Sequence, residues 1–126
     1  MNDHTSIIMA EEDLVAQKVT IRMLRKVGLS AKVVNSGRRV LQALEVHHYD
    51  IVLMDIEMPE MDGIEATRII RERWPIEPKI IIVTNCNSTA HRKLCFSAGA
   101  NEFLAKPLKL EDLTAAIKRN KPQRSC

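Results

Sequence analysis

Three short runs of apolar residues constrain this chain more than anything else in it: Ser6-Ile7-Ile8-Met9-Ala10, Ile51-Val52-Leu53-Met54 and Lys79-Ile80-Ile81-Ile82-Val83. None shows the apolar–polar alternation of a strand with one wet face. Each reads instead as a strand of a parallel sheet, buried on both sides. Each run also ends on chemistry. Glu11, Glu12 and Asp13 follow the first, Asp55 follows the second, and Thr84 follows the third. In open α/β folds the C-terminal edge of the sheet is where sites are built. Carboxylates and a hydroxyl gathered there suit a divalent metal and a phosphoryl group better than they suit a core.

The intervening segments alternate helix with strand. After the first strand, Val15, Val19, Met23, Leu24 and Val27 form a helical stripe that stops at Gly28. Residues 31–35 make a short second strand, and Ser36-Gly37 opens a helix carrying Val40, Leu41, Leu44 and Val46. The third strand spans about Asp50 to Asp55. A helix follows Asp62-Gly63 with Ile64, Thr67, Ile69 and Ile70 on or near its inner side, and Pro75 and Pro78 mark its exit. The fourth strand, Lys79 to Thr84, leads to a helix starting near Ser88 and capped by Gly99. Glu102 to Ala105 is the fifth strand, Lys106-Pro107 turns the chain, and a last helix runs from about Leu110 to Lys118. Residues 120–126 are polar and are expected to fray. The fold class is therefore α/β: a doubly wound, flavodoxin-like, five-stranded parallel sheet of order 2-1-3-4-5 with five helices. The chain is expected to be a single domain over 1–126, with its core at about 6–119.

Composition excludes several functions. At 126 residues and 45% hydrophobic the chain can bury a core, and no apolar stretch approaches the ~20 residues of a membrane span. No secretory signal is visible, so a soluble, cytoplasmic protein is expected. Cys86, Cys95 and Cys126 lack disulfide or metal-ligand spacing and read as free thiols, and His47-His48 reads as the end of a helix. A net charge of +3 on scattered basic residues, with 3% aromatics, offers neither a basic stripe nor a stacking platform. Direct nucleic-acid recognition is therefore not expected.

The motifs carry a resemblance. Glu11-Glu12-Asp13, the run Met54-Asp55-Ile56-Glu57-Met58-Pro59-Glu60-Met61-Asp62-Gly63, Val83-Thr84 and Leu104-Ala105-Lys106-Pro107 resemble the response-regulator receiver domain of two-component phosphorelays. The match extends from about Ser6 to Arg119, and Ala10 to Val19 resembles the receivers of hybrid histidine kinases.

The resemblance implies that Asp55 accepts a phosphoryl group from a phosphohistidine on a histidine kinase or a histidine phosphotransfer protein. It implies Mg²⁺, or Mn²⁺, held by Glu12, Asp55 and the backbone carbonyl of Glu57, with Glu11 acting through water. Lys106 would pair with the phosphoryl oxygens and Thr84 would donate its hydroxyl. The Lys106-Pro107 bond is a candidate cis peptide, and Phe103 falls where the family has its switch aromatic, coupled to Thr84. Signalling would run through protein binding to a downstream target the sequence does not name, and no turnover enzyme is implied. Two positions depart from the family pattern: Glu12 stands where Asp is usual, and Asn85 stands where a small residue is preferred. Two further readings compete. One is a pseudo-receiver that only binds protein. The other is an aspartate-nucleophile phosphatase, which would need a second aspartate where this chain has Glu57.

Overall fold

The structure is a computed structural model, which describes residues 4–86 and 88–122. Five strands alternate with five helices: β1 (Ile7–Ala10), α1 (Leu14–Lys26), β2 (Lys32–Val34), α2 (Gly37–Val46), β3 (Ile51–Asp55), α3 (Gly63–Arg73), β4 (Lys79–Thr84), α4 (Thr89–Ala98), β5 (Glu102–Ala105) and α5 (Leu110–Asn120). The strands form one sheet in the expected order β2-β1-β3-β4-β5, and all pairs are parallel.

Side chains on a strand alternate between faces, so each apolar run divides between two cores. Ile8, Val52, Met54, Ile80 and Ile82 pack with Val40, Leu41, Ala66, Ile70 and Cys95 of α2, α3 and α4. Ile7, Met9, Ile51, Leu53, Ile81 and Val83 pack with Leu24, Leu113 and Ile117 of α1 and α5. This double burial is why the central strands are apolar without interruption. Sheet register then brings the ends of the strands level: Ala10 lies beside Met54, Asp55 beside Val83, and Thr84 beside Ala105.

Helix starts are chemically marked. Asp13, Ser36, Asp62 and Ser88 each accept a backbone N–H three residues on, from Ala16, Arg39, Glu65 and His91 respectively, which satisfies donors that the first turn leaves open. Gly99 closes α4 with φ of 117°, as its capping role requires. Gly63 is needed for a different reason. A Cβ there would collide with the carbonyl oxygen of Asp55, so the absence of a side chain lets α3 begin directly against the end of β3.

Three expectations are corrected. Of the α1 stripe, Val15 (69%), Val19 (46%) and Val27 (38%) are exposed; the buried positions are Thr20 and Leu24. Val46 is exposed on α2, because that helix buries Gly37, Val40 and Leu41 instead. Finally, α5 extends to Asn120, which is buried rather than frayed. Its amide donates to Glu102 Oε2 (3.2 Å) and to the Ala116 carbonyl (2.7 Å), while Arg119 donates twice to Glu102 at 3.0 Å. Lys106-Pro107 is cis, as the sequence suggests, and so is Glu77-Pro78. Cys86 and Cys95 are free thiols; Cys126 lies outside the described residues. Among the described residues no helix is long and apolar enough to cross a membrane.

Candidate functional site

The C-terminal edge of the sheet opens into a cleft of about 850 Å³, bordered by Glu11, Glu12, Asp55, Thr84, Asn85 and Lys106 among others. Its floor is Asp55, the last residue of β3, only 8% exposed. One carboxylate oxygen, Oδ1, accepts the Ile56 N–H at 2.8 Å. The other, Oδ2, faces the Lys106 ammonium at 3.6 Å. Lys106 sits closer to a second carboxylate and donates to Glu11 Oε1 at 2.7 Å.

Glu11 is buried in the turn between β1 and α1. Its N–H donates to the Val34 carbonyl (3.0 Å), which fixes its backbone to β2. Its Oε2 accepts the Asp13 N–H (3.1 Å), and its carbonyl accepts the Gln17 carboxamide (2.6 Å). Glu12, the next residue, is exposed at the mouth of the cleft. The sequence favours Glu12 as the inner metal ligand; in the structure Glu11 is the acid placed against Asp55. Two adjacent residues of a turn point in different directions, and no strand or helix periodicity decides which one turns inward.

The electrostatics follow from this crowding. Burial pushes the Asp55 carboxyl up from 3.8 to about 6, and the charge of Glu11 pushes the same way; Lys106 opposes both only in part. For Lys106 the balance has the opposite sign. Burial alone would lower its pKa, but the Glu11 hydrogen bond and the Asp55 and Glu11 charges outweigh it and hold the ammonium above its ordinary value. Two buried carboxylates thus share one ammonium, with a third acid at the rim. This negative excess on an oxygen-rich floor fits a hard divalent cation. Among the described residues no three His, Cys, Asp or Glu side chains group closely enough to hold a metal ion by themselves. Mg²⁺ is a cation of this kind, which keeps several waters and takes few protein oxygens.

Thr84 ends β4 and is buried at 1% exposure. Its hydroxyl accepts the Cys86 N–H at 3.3 Å, and its carbonyl accepts the Lys106 N–H at 2.8 Å, so the turn after β4 and the base of Lys106 are tied together. Asn85 is exposed at the cleft edge, and so is Glu57. Phe103 lies on β5 beside Ile82, buried at 8%, with the Arg92 guanidinium 5.0 Å from its ring centre. It is not part of the cleft wall. Sequence reasoning did not anticipate the apolar rim. Leu14 (68% exposed), Val15 and Val19 of α1 stand beside the cleft, with Pro107 and Leu108 next to them. An apolar stripe on a helix ordinarily signals core, so no feature of the sequence marked these residues as surface.

The family model for the response regulator receiver domain matches residues 7–118. The chain belongs to the response-regulator receiver family. Among its curated relatives is hybrid signal transduction histidine kinase K of Dictyostelium discoideum, 38% identical over 91% of this chain and 10% of that protein. Another is transcription factor SKN7 of Saccharomyces cerevisiae, 35% identical over 90% of this chain and 18% of that protein. The receiver thus spans a tenth to a fifth of the length of these relatives. Among solved structures, the receiver domain of sensor histidine kinase PA1611 from Pseudomonas aeruginosa PAO1 superposes with a TM-score of 0.85 at 34% identity. That alignment covers 94% of this chain and 98% of that one, and that domain holds a magnesium ion in its active-site cleft. Receivers are modules of two-component and phosphorelay signalling, and this chain is one of them.

Proposed function

We propose that Asp55 is the phosphoacceptor of this receiver, taking a phosphoryl group from phosphohistidine on a kinase or phosphotransfer protein. The observation that carries the reading is the floor of the cleft: a buried carboxylate at a strand end, incompletely neutralised by Lys106 and lining the cleft from which a phosphoryl group would approach. An Asp55 oxygen attacks phosphorus, the phosphorus–nitrogen bond to the histidine breaks, and the electron pair leaves with the imidazole. Lys106 is placed to pair with the oxygens of the transferred group as a compact point charge. The hydroxyl of Thr84 and the backbone N–H groups after Asp55 are donors available to the same oxygens. The residues suited to hold Mg²⁺ are Glu11 and Asp55, with the Glu57 carbonyl and Glu12 at the mouth; when bound, the ion offsets the like charges of carboxylate and phosphoryl group.

Charge at Asp55 reaches the rest of the molecule through Thr84, and Phe103 on the neighbouring strand is the aromatic proposed to respond to it. The exposed apolar rim beside the cleft is where the phosphohistidine partner would seat, sealing water from the reacting groups. Mg²⁺-dependent gain of one phosphoryl group from acetyl phosphate, read by intact mass and absent in Asp55→Asn, is the expected outcome. A folded chain that gains none from acetyl phosphate or phosphoramidate would instead be a protein-binding module of the same fold.

A further inference from the structure

Gln17 is the fourth residue of α1 and closes its first turn. Its side chain folds back over the first turn, and Nε2 donates to the carbonyl of Glu11 at 2.6 Å, six residues earlier and outside the helix. Its own backbone is fixed, because the Gln17 N–H donates to the Asp13 carbonyl at 3.0 Å and Asp13 caps the helix through Ala16 N–H at 2.8 Å. The bond therefore runs from a rigid helix to the backbone of the acid on the cleft floor.

Glu11 has no regular element to hold it. Its conformation is fixed by the Val34 carbonyl on its N–H, by Gln17 on its carbonyl, and by Asp13 N–H and Lys106 on its two carboxylate oxygens. The Lys106 contact is the one for which a cation or phosphoryl group entering the cleft would compete. That leaves the two peptide-group anchors and the Asp13 N–H to keep the carboxylate facing Asp55. Gln17 is the one side chain among those lasting anchors.

We infer that Gln17 is a positioning residue: it holds the Glu11 peptide so that the Glu11 carboxylate faces Asp55, and it thereby sets the affinity of the cleft for a divalent cation. The inference rests on the metal-dependent reading proposed above. Groups that orient a metal ligand without touching the metal commonly change affinity by about 10- to 100-fold when lost. Gln17 acts through the backbone of Glu11, so the lower end, about tenfold, is expected.

The test uses two variants and titration calorimetry with MgCl₂, with MnCl₂ as a second probe. Gln17→Met keeps the length and removes the donor. Gln17→Glu also removes the donor at neutral pH and adds a negative charge. Both are expected to bind Mg²⁺ about tenfold more weakly than the parent, with the amide resonance of Asp13 displaced in the metal-free protein. If Gln17 influenced the cation only through the local field, Gln17→Glu would bind more tightly, which would overturn the inference. Parental affinity in a folded Gln17→Met would overturn it as well, while leaving the proposed function intact. A folded parent chain that binds no Mg²⁺ would sink the proposed function, and this inference with it.

Discussion

Two buried aspartates bracket β3. Asp50 precedes the strand at the N-terminal edge of the sheet, and Asp55 ends it at the other, with exposures of 3% and 8%. Asp50 is fully engaged in the fold. Its Oδ2 accepts the Ser6 N–H (2.8 Å), its Oδ1 meets His48 Nε2 (3.1 Å), its own N–H donates to the Ser6 carbonyl (2.8 Å), and its carbonyl accepts from Lys79 (3.0 Å). One residue thereby fastens the entries of β1 and β4 to β3. Asp55 has one backbone donor, an ammonium at 3.6 Å that is nearer to another acid, and a carboxylate neighbour of its own sign. Residue type and burial are shared and one strand lies between them, so the partners make the difference: one carboxylate holds the sheet together and the other remains available for chemistry.

Truncation separates the two carboxylates most clearly. Asp50→Ala strips the partly buried Ser6 N–H of its partner and is expected to cost on the order of 2 kcal/mol in urea unfolding. Asp55→Ala, measured alongside in metal-free buffer at pH 8, should cost little or stabilise. Equal losses would erase the distinction.

Asp55→Asn separates the two carboxylates through pH. The folded carboxyl titrates at about 6 and the unfolded one at 3.8, so between those values the folded state holds a proton that the unfolded state has released. Stability contributed by this group therefore falls as pH rises through that window. Without divalent cations, the Asn variant should be more stable than the parent by on the order of 2 kcal/mol above pH 6. That advantage should shrink as pH falls toward 4. An advantage that grew on acidification would have the wrong sign.

Glu102 gives the smallest effect and the opposite sign. The Arg119 hydrogen bonds lower its pKa below 4.5, burial opposes them, and Asn120 adds to the lowering. Its stabilisation is present above 4.5 and is lost as pH falls through the folded value. Glu102→Gln should therefore be slightly less stable than the parent at pH 7 and indistinguishable from it in strong acid, by thermal melts across pH.

Most of the fold was legible because unbroken apolar runs, helix caps and Gly99 each leave a local mark. That Asp55, Thr84 and Lys106 meet at one edge of the sheet was legible because strand ends can be counted. What escaped the sequence depends on directions that periodicity does not fix. Glu11 and Glu12 are adjacent in a turn, and only the folded backbone shows that Glu11 faces Asp55. Leu14, Val15 and Val19 have the spacing of core residues, yet α1 is rotated so that Thr20 and Leu24 are buried and these three stand beside the cleft. Asn120 reads as the start of a polar tail because its partner, Glu102, lies eighteen residues away on another element. The anchoring role of Asp50 was hidden in the same way, since Ser6 is forty-four residues distant.

Whether Asp55 carries this uncompensated charge is read by a side-chain carboxyl ¹³C NMR titration of the full chain, without and then with Mg²⁺. A midpoint near 6 is expected in the metal-free protein, moving down when Mg²⁺ is added as the excess negative charge is offset. A midpoint at the ordinary 3.8, unmoved by Mg²⁺, would contradict it.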